Sequence, residues 1–203
     1  MSRRDAVEAD SHGPSGTVRA AGAGDAAAIG AVQARAWRQA YRDVLPPQVL
    51  QALSAEALAD TWRAAITAPP SPRHRVLVAC GDDLVVGFAA VAPARDRDAA
   101  EADGELVELA VDPAHQGRGH GSRLLAAATD TLREAGAATV RAWVPAADRP
   151  RHDFLVSAGL RPDGATRTLA APDGTQAEQL RLSASLGPEP GRAPEPGSTA
   201  DPA

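Results

Sequence analysis

Residues 105–122 read Glu-Leu-Val-Glu-Leu-Ala-Val-Asp-Pro-Ala-His-Gln-Gly-Arg-Gly-His-Gly-Ser. Three kinds of backbone follow one another in this stretch. Leu106 to Val111 is an apolar run of strand length, stopped by Asp112-Pro113, since proline cannot donate to a sheet ladder. Gly117, Gly119 and Gly121 then open a helix of about residues 118–135, with Leu124, Leu125, Ala128 and Leu132 at helical spacing. Gly136 stands where a helix-ending glycine belongs, and Thr139 to Val144 is the next strand. A helix N-terminus presents unpaired N–H groups and a positive dipole end, and glycines let an anion approach the backbone closely. The stretch therefore predicts a cradle for a diphosphate or carboxylate.

Upstream, Thr17-Val18-Arg19 predicts a short strand. Asp25 predicts an N-cap for a helix carrying Ile29, Val32, Ala36, Trp37 and Ala40 on one face, ended by Pro46-Pro47. A second helical region spans about 47–67, and Arg75–Cys80 and Leu84–Val91 form a hairpin about Gly81-Asp82-Asp83. Residues 93–104 are charged, alanine-rich and loop-like. Downstream, Asp148, Pro150 and Gly159 punctuate a short helix, and strands at 165–170 and 176–184 flank the turn Pro172-Asp173-Gly174. The order is β-αα-β-β-β-α-β-α-β-β, which predicts an α/β fold: a mixed, mostly antiparallel central sheet flanked by helices. Residues 1–15 and 187–203 are polar or Gly/Pro-rich and are expected to be a disordered leader and tail around a folded body of 16–186.

The 203 residues carry a net charge of −5, which argues against nonspecific nucleic-acid binding. No apolar run reaches the length of a membrane span, and no basic start precedes an apolar stretch. Cys80 is the single cysteine, so no internal disulfide forms, and no ligand cluster suggests a metal. All 21 basic residues are arginine. Without lysine, a P-loop NTPase of the usual kind and a pyridoxal Schiff base are both excluded.

The glycine spacing is G-x-G-x-G, with Ser122 where a dinucleotide fingerprint needs its last glycine, and the following strand ends at Trp143 rather than an acid. The pattern Gln116-x-x-Gly119-x-Gly121, preceded by Leu-Ala-Val-Asp-Pro and followed by Ser122-Arg123-Leu124-Leu125, instead resembles the signature of the GNAT superfamily of N-acetyltransferases. In element order the resemblance covers most of 17–184. It implies that the amides of Gly117, Arg118, Gly119, His120, Gly121 and Ser122, with Gln116, hold the pyrophosphate of acetyl-CoA. It also implies that the central strand splays from its neighbour, leaving Leu109, Ala110 and Val111 to pair with the pantetheine arm.

The family's second motif is Asn-x-x-Ala-x-x-Phe-Tyr-x-x-x-Gly-Phe. Here Asp148 stands for Asn, Arg151 for Ala, Phe154 matches, Leu155 replaces Tyr, and Gly159-Leu160 closes it. In many relatives that tyrosine protonates the leaving thiolate, which leucine cannot do. A CoA thiol has a pKa not far from that of Cys, about 8.5, so its thiolate is a tolerable leaving group.

An amine acceptor, with a pKa near 10, must lose a proton before it attacks. Glu105, 11 residues before Gln116, has the spacing of a catalytic glutamate in some relatives and is the first candidate base. Its bland reading is a solvated strand-end charge. Glu108 is the second candidate; strand alternation points it to the opposite face from Glu105, where contact with substrate and pairing with an arginine are the alternatives to acting as base. Trp37 and Tyr41 sit four apart on the first helix, which in this family borders the acceptor pocket. They are candidate substrate-binding residues, with core packing as the alternative, and Tyr41, the only tyrosine, is worth testing as a proton donor. His115 and His120 read as solvent-facing turn residues.

The resemblance thus implies a soluble, cytoplasmic N-acetyltransferase that moves an acetyl group from acetyl-CoA to a primary amine by direct attack in a ternary complex, without a metal. The acceptor would be a small-molecule amine or a peptide N-terminus. C-terminal strand exchange into a homodimer occurs in the family. The alternative is a non-catalytic acyl-CoA-binding or sensor module of the same fold, which the missing tyrosine favours.

Overall fold

The computed structural model describes residues 16–42, 47–170 and 176–187. The expected leader, all of the expected tail beyond Gly187, and the turn at 172–174 lie outside the described residues. In chain order the elements are β1 (Thr17–Ala20), α1 (Ala26–Ala40), α2 (Pro47–Gln51), α3 (Ala55–Thr67), β2 (Arg75–Gly81), β3 (Leu84–Pro93), β4 (Asp103–Val111), α4 (His120–Glu134), β5 (Thr139–Pro145), α5 (Arg149–Ser157), β6 (Arg161–Ala170) and β7 (Gln176–Ser185). This is the expected order. The region expected as one helix at 47–67 is two, because Ser54 caps α3 by accepting from the Ala57 N–H at 3.2 Å. Asp25 was expected to cap α1 but does not. Its carboxylate is instead held by the Gly22 N–H and by the fork of Arg19.

Among the described residues, the strands form one sheet in the order β1-β2-β3-β4-β5-β7-β6. Every neighbouring pair is antiparallel except β4 and β5, which the α4 crossover makes parallel. One face packs on α4 and α5 through Leu106, Leu124, Leu125, Leu132, Val140 and Leu155. The other packs on α1 and α3 through Ile29, Val32, Phe88 and Ala110, with Trp62 standing edge-on to Phe88 at 4.9 Å. Helices α1 and α3 approach closely at Gly30. A Cβ there would lie 2.4 Å from the Ala55 carbonyl oxygen and 2.6 Å from the Ala59 nitrogen.

Two irregularities position the site. The parallel pairing of β4 with β5 covers only Asp103–Glu105 against Thr139–Arg141, and the strands part beyond it. The remaining six residues of β4 span roughly 20 Å at the usual strand rise. The second irregularity is a bulge in β4. Ala90 pairs with Glu108 and Val91 with Leu106, so Val107 has no opposite residue. The extra residue resets the alternation: Leu106 faces the α4 core, and so do Leu109 and Val111, while Ala110 faces α1. Glu105 and Glu108 therefore share the α1 face. Strict alternation had placed them on opposite faces, and the inserted Val107 is the physical reason for the correction.

Candidate active site

Where β4 and β5 separate, a cleft of about 780 Å³ opens between them, the end of α1 and the start of α5. Its floor is Glu108, Leu109, Ala110 and Val111 of β4. One end is closed by Gln116, Gly117, Gly119, His120, Gly121 and Ser122. The wall opposite carries Trp37 and Tyr41 from α1, and Asp148, Arg151 and Phe154 complete it from the α5 side.

The turn end follows from backbone geometry. Gly117 and Gly119 have φ of +74° and +77°, a conformation that side chains resist. No side chain caps α4, and its ladder begins with the Arg123 N–H on the Gly119 carbonyl at 3.1 Å. The amides of His120, Gly121 and Ser122 thus lack intrahelical partners. At Gly121 an added Cβ would sit 3.5 Å from the Phe154 ring and 3.8 Å from Val111, so the missing side chain leaves the floor of the cleft open. The cradle is braced from β4: Asp112 accepts from the Ala114 N–H and takes both Nε and Nη2 of Arg35 of α1. The Gln116 side-chain amide donates to the Val111 carbonyl at 3.3 Å.

Of the residues singled out in sequence, the structure brings Trp37, Tyr41, Glu108, Leu109, Ala110, Val111, Gln116, Gly117, Gly119, His120, Gly121 and Ser122 to one cleft. Arg118 is not among its walls; its carbonyl accepts from Arg123 at 3.0 Å. Glu105 is also outside the walls. It lies at the closed end of the gap, half-buried, paired across the sheet with Ala92 and Arg141. Burial, and then Asp96, push its carboxyl above the ordinary value, against the pull of Arg167 and Arg95.

His120 does not face solvent as expected. Its ring is buried under the turn beside Gly16 and Gly81, with Nδ1 3.2 Å from Arg123. Burial, then Arg123, lowers its pKa. Leu155 is 1% exposed in the α4-side core, so the position of the family tyrosine contributes no group to the cleft walls.

An arginine partner for Glu108 was among the sequence expectations, but neither which arginine nor the contact with Trp37 was named. Arg151 Nη1 lies 2.8 Å from Glu108 Oε1, which also accepts from the Leu109 N–H at 3.0 Å, and Trp37 Nε1 donates to Oε2 at 3.3 Å. Arginine at 151, where the second motif has alanine, was the available signal. The charged 93–104 stretch also does more than connect strands. Asp96 and Asp98 hold Arg181 and Arg141, and Trp143 is covered by Arg167 at 4.3 Å. Among the described residues no group of His, Cys, Asp and Glu is arranged to hold a metal ion, and no helix is long and apolar enough to cross a membrane.

A parted pair of parallel strands with a glycine-opened helix at the gap defines an acyltransferase type of fold. A sequence profile of the acetyltransferase (GNAT) family matches residues 34–159, and the chain belongs to that family. The structure is similar to that of PaiA N-acetyltransferase from Thermoplasma acidophilum in complex with coenzyme A. That pair has 17% identity and a TM-score of 0.63, covering 82% of this chain and 98% of the other. It is also similar to YncA from Salmonella typhimurium with acetyl-CoA, at 22% identity and TM-score 0.63 over 89% and 98%. A third similar structure is the ribosomal-protein-alanine N-acetyltransferase from Brucella melitensis, at 22% identity and TM-score 0.63 over 83% and 99%. At these identities the likeness establishes the fold. A sequence search of curated proteins finds no match.

Proposed function

We propose that the protein transfers the acetyl group of acetyl-CoA to a primary amine by direct attack while both substrates are bound. The observation that carries this reading is the gap between β4 and β5, closed at one end by the uncapped start of α4. The free edge of β4 offers backbone groups to the two amides of a pantetheine arm, as an added strand would. The amides of 117–122 are suited to its pyrophosphate. Similar structures crystallised with coenzyme A or acetyl-CoA support the same choice of ligand.

The chain's own residues would then act as follows. Strand amides in the region 109–111 would donate to the thioester oxygen and stabilise the charge that develops there. Glu108 takes the proton of the amine. A carboxylate has about four lone-pair sites. Among the described residues, Arg151 and the Leu109 N–H reach Oε1 while only Trp37 reaches Oε2, so the proton would go to Oε2, the less occupied oxygen. Glu105, on the same strand face but outside the cleft, would act only through water. The acceptor is a small-molecule amine or a peptide N-terminus, and a cytoplasmic location goes with the use of acetyl-CoA.

The test is thiol release from acetyl-CoA across an amine panel. Turnover with at least one amine supports the reading; acetyl-CoA binding with no thiol release supports the non-catalytic alternative, which the burial of Leu155 favours. Glu108→Gln should lower kcat/KM by about 100-fold or more, the loss of a positioned base, while Glu105→Gln leaves it within about threefold. The reverse result would move the base to Glu105.

A further inference from the structure

Transfer from a thioester leaves a thiolate that must gain a proton. Leu155 cannot supply it, being apolar and buried in the core. Of the chain's potential donors, the single phenol stands in the cleft wall, at the end of α1.

Its placement is fixed from two directions. The Tyr41 N–H bonds the Trp37 carbonyl at 2.9 Å as α1 ends. Its ring meets the Trp37 ring edge-on, with centroids 6.1 Å apart. Trp37 is in turn pinned to β4 by its bond to Glu108. Backbone and ring contact therefore hold the phenol in the cleft wall against Trp37, which is itself tied to Glu108 of β4, the strand that forms the cleft floor. Across the cleft stand Asp148 and Arg151 of the α5 side, with Arg42 beside it on its own side.

We propose that Tyr41 is the general acid of this enzyme, donating its hydroxyl proton to the sulfur of the departing coenzyme. The inference rests on the acetyltransfer reading above. As the tetrahedral adduct collapses, the carbon–sulfur bond breaks and its electron pair goes to sulfur. The Tyr41 Oη–H proton passes to that sulfur to give the free thiol. The phenolate is reprotonated from solvent, and the proton lost by the amine leaves through Glu108. The products are the N-acetyl amine and coenzyme A. Burial, then the Glu108 charge, raises the phenol to about 12, with Arg151 opposing, so the donor form persists through neutral pH.

The test compares wild type with Tyr41→Phe, which removes only the hydroxyl. Acetyl-CoA affinity measured by calorimetry should be unchanged, and KM for acetyl-CoA should hold. kcat should fall about 100-fold, the lower end of what a positioned acid contributes. The solvent deuterium isotope effect on kcat should change with it. A Tyr41→Phe enzyme with kcat within about twofold of wild type and the same isotope effect overturns the assignment while leaving acetyl transfer in place. Wild-type protein that releases no thiol with any amine overturns both readings.

Discussion

Arg151 at the start of α5 and Glu108 in the middle of β4 form an ion pair 2.8 Å long across the cleft, with side chains only 16% and 11% exposed. Glu108 thereby ties together three elements that no sheet ladder connects at this point: β4, α1 through Trp37, and α5. Removing Arg151 leaves a mostly buried carboxylate with one donor fewer. Arg151→Ala should cost about 1–3 kcal/mol in chemical denaturation. In the Glu108→Gln background the same change should cost less, and a double-mutant cycle that shows strict additivity would mean the pair contributes nothing.

Gly121 is the cleanest probe of the cradle. Its φ is not in the left-handed region, so a side chain there is strained only by what it meets, the Phe154 ring and Val111. Gly121→Val should keep its melting temperature within a few degrees and lose at least about tenfold in acetyl-CoA affinity by calorimetry. The same change at Gly119, where φ is +77°, would mix backbone strain into the result.

Glu105 gives a pH signature of stability. Burial, reinforced by Asp96, holds its pKa above the ordinary 4.5. The native state therefore retains a proton that the unfolded chain has already released, and stability declines as pH rises from 4.5 toward the folded value, without recovering above it. Glu105→Gln, neutral at every pH, should show a higher urea midpoint than wild type above that window. The two curves should converge below pH ~4. A variant less stable than wild type at pH 7.5 would show that the ionised carboxylate is favourably held.

Gly30 sets the distance between α1 and α3. A methyl group there meets backbone atoms of α3 at 2.4 and 2.6 Å, which cannot rotate away. Gly30→Ala should destabilise by about 2 kcal/mol or more. Gly24→Ala, with no atom within 4 Å of the added carbon, should be neutral or slightly stabilising. Thermal unfolding of the two variants side by side makes the comparison. Because α1 carries Trp37 and Tyr41, Gly30→Ala should also raise KM for the acceptor.

Element order, the glycine cradle and the family were legible in the chain because each depends on local chemistry. Asp112-Pro113 stops a strand wherever it stands, Gly117 and Gly119 accept positive φ, and Leu124, Leu125, Ala128 and Leu132 mark one helix face by spacing alone. Ser54 is not legible as a cap because the apolar pattern on either side of it is continuous.

The tertiary structure alone decided which glutamate reaches the cleft. The bulge at Val107 arises in the pairing of β4 with β3, and one inserted residue exchanges the two faces of everything beyond it. Likewise, Arg151 became a partner of Glu108, and His120 became a buried ring, only when elements distant in the chain closed on each other. Backbone preference is written residue by residue, whereas the direction a side chain takes in a paired sheet depends on the neighbouring strand.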